Sequence, residues 1–405
     1  MVEAGTSRDV GSIVPPHVGR VAHAVGHLPP YRLTDVSSTL ERPANLWLRA
    51  MFASDKSPLT IRSYAHDLLR FSRFLSAIDV DWARVTPDDY VDFVLWARVT
   101  RKARTATGGK RTAKPSVNMM TGKPNPGETL APTTINHSDT VLRAFYEYWG
   151  ARGEGPVLNP VPSRDGITGR AHSHHNPLEP FTRSSRRSTR QKETKRLPRS
   201  MPDGAYEQVF GSLTSDRDRA LLESYLSTGA RATELLTIEG KHVDYGEQQY
   251  LVVRKGTRQL QLLQASPDAF AWLVKYQAEH GPAGPDERVW RALRGPSRPL
   301  TYDAMKRVFD RVNSRLGTNW TPHDLRHTCA IRMIESDALS IRDVQEILGH
   351  AHVTTTEKYL RARPDEVIRR VREHHRRLKD APPPPGASAL AYGADDLLAV
   401  FGGRA

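Results

Sequence analysis

The stretch Thr228-Gly229-Ala230-Arg231-Ala232-Thr233-Glu234-Leu235-Leu236 sets an arginine near the start of a short helix, with a carboxylate one turn later. Residues three apart share a helix face, so Glu234 can orient the Arg231 guanidinium. Alone, this pair would be an ordinary surface ion pair of little worth. Further along come Lys255 in Val253-Arg254-Lys255-Gly256-Thr257-Arg258, and His323 with Arg326 in His323-Asp324-Leu325-Arg326-His327. His350 follows in Leu348-Gly349-His350, and Tyr359 in Thr355-Thr356-Glu357-Lys358-Tyr359.

The surroundings of these residues predict where each is carried. Tyr250, Val252, Leu260 and Leu262 alternate with less apolar residues, which predicts a hairpin from Gln249 to Leu263 with Lys255 at its turn. Thr321-Pro322 can open a helix on which His323 and Arg326 share a face, while His327 is expected on another face as a structural residue. Ser340-Ile341-Arg342-Asp343 is a capping box ahead of an apolar face of Ile341, Val344, Ile347 and Leu348. Gly349 then ends that helix, leaving His350 at the mouth of a turn. Thr354 and Glu357 can cap a short helix presenting Tyr359.

In type, order and interval, Arg231, Lys255, His323, Arg326, His350 and Tyr359 resemble the active site of the tyrosine recombinases, the phage-integrase family. The resemblance implies that Arg231 and Arg326 hold the non-bridging oxygens of a phosphodiester. A guanidinium suits that task because it stays protonated and grips two oxygens in a fork. It implies further that Lys255 protonates a departing 5′-oxygen, that His323 is a general base or hydrogen-bond partner, and that His350 donates to a phosphate oxygen. Tyr359 would be the nucleophile; a phenol of reference pKa ~10 needs neighbouring cations to attack at neutral pH. The family often has glycine before the lysine, where this chain has Arg254, and Arg258 is a second cation at the same turn.

Composition agrees with a polyanion as partner. The chain has 405 residues, 26% of them charged, with net charge +14, pI near 9.9 and mean hydropathy −0.55. The charge is clustered. Arg101 to Lys114 holds six basic residues and no acid, and Arg183 to Arg199 holds eight against Glu193 alone. Arg62, Arg101, Lys102, Arg186, Arg187, Arg190, Lys195 and Arg258 are the candidate DNA contacts. Cys329 is the only cysteine, so no internal disulfide or cysteine zinc site is expected. His172, His174 and His175 lack cysteine or carboxylate companions at ligand spacing, and neither a metal nor a cofactor is expected. No apolar run of membrane-spanning length and no secretory start is evident, so a cytoplasmic enzyme is expected.

Along the chain, residues 1–40 read as a mobile arm and 41–152 as a four-helix domain. Its best helix opens at Ser57-Pro58 and carries the stripe Ile61, Tyr64, Leu68, Phe71, Leu75 and Ile78. Others run from about Pro43 to Ala53, from the capping box Thr86-Pro87-Asp88-Asp89, and from about Thr133 to Trp149. Residues 153–200 read as a basic interdomain linker, 201–380 as the catalytic domain and 381–405 as a proline-rich tail. The expected fold is mainly α with one small β-hairpin: a two-domain DNA clamp whose N-terminal domain resembles the family's SAM-like core-binding domain. The resemblance implies a tetramer on two double-stranded DNA sites, a possible directionality factor and no membrane partner. A transposase of the same chemistry, a type IB topoisomerase and an inactive DNA-binding regulator are the alternatives.

Overall fold

The computed structural model describes residues 8–24, 26–101, 116–161, 189–193, 199–336, 338–349, 371–373 and 376. The chain divides into two compact units, Met1–Lys195 and Arg196–Ala405. Among the described residues no helix is long and apolar enough to cross a membrane.

The first unit is built on helices α1 (Ser38–Ala53), α2 (Pro58–Ile78), α3 (Pro87–Val99) and α4 (Pro132–Gly150). The Ser57 hydroxyl accepts the Thr60 amide to open α2, and Pro58 needs no partner in that first turn. Thr86 and Asp89 exchange hydrogen bonds in the expected capping box of α3. α1 begins a turn earlier than the sequence suggests, because Pro43 lies inside the helix rather than at its start. Ile61, Leu68, Phe71 and Leu75 of α2 are buried in one core with rings from the other helices. Trp47 stacks on Tyr64 at 5.5 Å and meets Phe145 edge-on at 5.7 Å, and Phe71 meets Phe93 at 5.1 Å. Removing one such ring costs about 3–5 kcal/mol, so these aromatics fix the helix arrangement.

Two expectations for this unit are corrected. The described part of the 1–40 arm is folded: β1 (Arg20–His23) pairs antiparallel with β2 (Tyr31–Thr34). Leu33 is fully buried, and Asn45 brackets it by accepting its N–H and donating to its carbonyl. Arg73 of α2 donates to the carbonyls of Val18 and Gly19. The anchors are long-range contacts to residues without local periodicity, which pattern reading does not register. The 153–200 linker is also partly docked. Val161 is buried, Asn159 donates to the Arg143 carbonyl, and the Asn136 amide exchanges hydrogen bonds with the backbone of Gln191.

The second unit contains α5 (Asp203–Gly211), α6 (Asp216–Thr228), α7 (Ala232–Leu236), β3 (Val243–Asp244), β4 (Gln249–Val253) and β5 (Leu260–Gln264). Then follow α8 (Pro267–His280), α9 (Tyr302–Leu316), α10 (Pro322–Glu335) and α11 (Ile341–Leu348). The strands form an antiparallel sheet in the order β3-β4-β5, which adds a short strand to the expected hairpin. Its inner face also differs. Tyr250 pairs with Leu263 and Val252 with Gln261, so Leu263 is buried while Leu260 and Leu262 are 62% and 57% exposed. The alternation assigned to β5 was shifted by one residue, and a shift of one exchanges the two faces of a strand.

α6 ends at Gly229, whose φ of +60° is left-handed. A Cβ there would lie 2.8 Å from a Leu348 methyl and 3.0 Å from the Cys329 sulfur. Glycine is required both for the turn and for the close approach of α10 and α11. That turn delivers Arg231 to the start of α7, next to the end of α11.

Candidate active site

Glu234 is the centre of the site. Its side chain is 1% exposed and accepts four hydrogen bonds. Oε1 takes the Arg231 guanidinium at 2.8 Å and the Lys255 amide at 3.1 Å; Oε2 takes the Arg231 amide at 2.9 Å and the Arg254 guanidinium at 2.9 Å. Burial alone would raise the pKa of this carboxyl. The Arg231 and Lys255 donors, with the Arg254 charge, outweigh burial and hold it below the ordinary glutamate value. The expected surface pair is thus a buried anion joining α7 to the base of the hairpin turn.

The lowered pKa gives a testable pH dependence. Unfolded glutamate titrates near ~4.3, so Glu234 contributes its full stabilisation above that value and loses it as pH falls through the lower folded value. Glu234→Gln is expected to cost about 3–5 kcal/mol near neutrality, as for a broken buried ion pair. Denaturant midpoints should show this deficit constant between about pH 8 and 6 and shrinking below about pH 4. A deficit that grows on acidification would contradict the assignment.

Cations also gather on the end of α11. A helix leaves its last four carbonyls without helical partners, and here consecutive carbonyls are taken by side chains from elsewhere. Gln261 donates to Glu346 O at 2.9 Å, Arg254 to Ile347 O, Arg326 to Leu348 O at 2.7 Å, and Arg231 approaches Gly349 O at 3.4 Å. Arg326 is buried and also donates to Gly229 O at 2.5 Å. The Arg231 side chain is 31% exposed, unlike those of Arg254 and Arg326. Arg231, Arg254, Arg326 and the Lys255 backbone are therefore parts of one connected cluster.

Lys255 is exposed at the hairpin turn, as expected. Gly256 has φ +103° and Arg258 φ +57°, while Arg254 and Gln259 close the turn through backbone hydrogen bonds. His323 is exposed in the first turn of α10, whose N-terminus carries the Thr321–Asp324 capping box. His327 does not lie on a different face: its ring packs edge-to-face on His323 at 4.2 Å between centroids. The two are four residues apart, close to one helical turn, so they are neighbours. Cys329 is buried, and burial pushes its thiol up to about 12, in keeping with a packed residue.

His350 and Tyr359 lie outside the described residues, as do Lys102, Arg186, Arg187 and Lys195. Arg62 and Arg101 are exposed on the first unit; Arg101 is 3.8 Å from Glu128. Arg190 lies on the docked 189–193 segment of that unit and is 3.9 Å from Glu193. Sequence reading missed Arg254 and Gln261 as parts of the cluster. The signal for Arg254 was present, a large cation where the resemblance suggests glycine. Gln261 carried none, because its inward position depends on the strand register.

Comparison with known proteins places these features. Residues 190–366 match the family model described as phage integrase family, and 44–113 match that of the phage integrase N-terminal SAM-like domain. The chain is 32% identical to tyrosine recombinase XerC of Salmonella typhi over 235 residues, 57% of this chain and 69% of that protein. It is 26% identical to tyrosine recombinase XerC of Serratia marcescens over 335 residues, 81% of this chain and 92% of that protein. A lambda integrase dimer bound to a COC′ core site is similar with TM-score 0.52 and 16% identity, over 80% of this chain and 94% of that one. The Tn1549 transposon integrase in complex with a circular intermediate DNA gives TM-score 0.52 and 13% identity, over 78% and 94%. At such identities the structural likeness carries the fold alone.

Proposed function

The chain belongs to the phage integrase family of tyrosine recombinases, enzymes of site-specific DNA cleavage and strand transfer, and on that premise we propose that it joins DNA through a 3′-phosphotyrosine intermediate at the cluster around Glu234. The observation that carries this reading is the convergence of Arg231, Arg326 and the Lys255 backbone within one hydrogen-bonded cluster, with the Arg231 side chain partly exposed. The Tyr359 oxygen attacks the scissile phosphorus and forms a phosphotyrosine bond. The bond to the 5′-oxygen breaks, and Lys255 supplies the proton that oxygen needs to leave. Arg231 supplies the exposed fork for the non-bridging oxygens, and Arg326 adds a fixed charge beneath it in a low-dielectric setting. His323 and His350 complete the proton and hydrogen-bond partners. A 5′-hydroxyl of a second duplex then attacks the same phosphorus and releases Tyr359. One phosphodiester is exchanged for another, so no nucleotide hydrolysis is needed.

On the same premise the working unit is a tetramer on two double-stranded sites, acting in the cytoplasm and passing through a four-way junction. The exposed cations Arg62, Arg101, Arg190 and Arg258 contact DNA backbone, which positions the protein and carries no sequence information directly. A role in moving a genetic element, assisted by a directionality factor, is the form of site-specific exchange we favour. A substrate nicked beside the cleavage site tests the chemistry, because loss of the short fragment that carries the released 5′-hydroxyl leaves nothing to reverse the step and traps the enzyme on DNA. A protease-sensitive DNA adduct is the expected result; free cleaved ends with no adduct would overturn the reading.

The role of Lys255 has its own test. Lys255→Ala should slow cleavage by about 10²-fold, the lower scale of general acid catalysis. A substrate with sulfur at the 5′-bridging position should restore the rate, since a thiolate leaves without protonation. Arg231→Ala should not be rescued.

A further inference from the structure

Arg254 precedes Lys255 where the family often has glycine, and its side chain is 5% exposed although the residues that follow it, from Lys255 to Leu260, are exposed. A buried arginine must have its charge and donors satisfied. Here its guanidinium donates to Glu234 Oε2 at 2.9 Å, to Gln261 Oε1 at 2.7 Å and to the Ile347 carbonyl. Gly349, with φ +61°, lies against the same group. A Cβ added there would stand 2.9 Å from Arg254 Nε and 3.2 Å from Cζ. One side chain thus joins α7, β5 and the end of α11 at the root of the turn. The carboxylate that holds it also holds the Lys255 amide.

We propose that Arg254 is a positioning residue that fixes the root of the β4–β5 turn so that Lys255 is held for proton delivery to the leaving oxygen. The proposal rests on the reading of Lys255 as the proton donor. An ammonium on a four-carbon stem has many rotamers, and an unanchored turn would add backbone freedom to them. A proton donor displaced by about 1 Å can cost about 10²-fold in rate, so anchoring the turn has kinetic value. Arg254 itself touches no DNA in this account. Its effect must appear where the Lys255 proton matters and fade where it does not. A purely structural role would affect both situations equally.

The test compares two substrates in single-turnover cleavage at saturating DNA: the ordinary phosphodiester and the 5′-bridging sulfur analogue. Full-length wild type, Lys255→Ala, Arg254→Gln and Arg254→Lys are measured on both. Each variant is judged by the ratio of its two rates, relative to that ratio in wild type, which is independent of the fraction of active protein. Arg254→Gln is expected to slow phosphodiester cleavage by about 10- to 10²-fold and the sulfur analogue by no more than about threefold. Arg254→Lys keeps the charge but cannot span Glu234, Gln261 and Ile347, so it should fall between Arg254→Gln and wild type on the phosphodiester. It also carries the comparison should Arg254→Gln be insoluble. Equal slowing on both substrates, or no slowing on either, overturns the proposal. Failure of the sulfur analogue to rescue Lys255→Ala overturns the Lys255 reading itself, and the Arg254 proposal falls with it. Rescue of Lys255→Ala without selective rescue of Arg254→Gln rejects Arg254 alone.

Discussion

Tyr359→Phe is expected to abolish covalent capture on nicked DNA while leaving DNA affinity close to wild type. The substitution removes one oxygen, and that oxygen is the proposed nucleophile. Neither the buried cluster around Glu234 nor the exposed cations proposed to meet the DNA backbone are altered. Gel retardation measures affinity, and denaturing electrophoresis with and without protease measures the adduct. A protease-sensitive adduct formed by Tyr359→Phe would remove Tyr359 from its role and redirect the search to another hydroxyl.

Arg231→Ala and Arg326→Ala are each expected to slow single-turnover cleavage by ~10²-fold or more, the scale for losing a transition-state charge partner. Their effects on stability should separate. Arg231 is partly exposed and its contact to Gly349 O is long, so its loss leaves Glu234 still paired with Arg254. Arg326 is buried between Gly229 O and Leu348 O, and its loss strands both carbonyls. Each buried acceptor left without a donor costs about 1–3 kcal/mol. Arg326→Ala should therefore lower the denaturant midpoint clearly more than Arg231→Ala does. Lysine at either position should restore little, because a point charge cannot replace a fork. Cleavage within tenfold of wild type for either alanine variant would contradict the assignment.

Much of the fold was legible because its signals are local. Ser57, Thr86 and Ser340 announce helix starts by side-chain capping, and each cap is present in the structure. Gly349 ends α11 in the left-handed region its sequence position suggested. The approach of Arg231 to Glu234 was legible for the same reason, being one helical turn. The rest depended on contacts between distant residues. The Leu33 backbone is held by the Asn45 side chain, and the Gln191 backbone by the Asn136 side chain, through hydrogen bonds that no periodicity encodes. The inner face of β5 followed the pairing of Tyr250 with Leu263, which strand alternation alone leaves undetermined by one residue. His327 was expected on a different face from His323, yet four residues on a helix is a neighbour spacing and the two rings meet. The central position of Glu234 required knowing that Lys255, 21 residues later, returns to the same carboxylate.

The carbonyl end of α11 has one more consequence. A helix C-terminus carries roughly half a negative charge, and here it is set among Arg231, Arg254 and Arg326, beside the Glu234 carboxylate. Without DNA, three guanidiniums near one another would repel. The helix end and the Glu234 carboxylate serve as a resident counter-anion for these three charges. That anion is unevenly shared. The carboxylate holds Arg231 at 2.8 Å and Arg254 at 2.9 Å, whereas the helix end holds Arg326 at 2.7 Å and reaches Arg231 only at 3.4 Å. On the proposed function, a phosphate would meet Arg231 first, since it is the one of the three that is partly exposed and its second amino group is bound only at 3.4 Å, while Arg254 and Arg326 stay in place behind it.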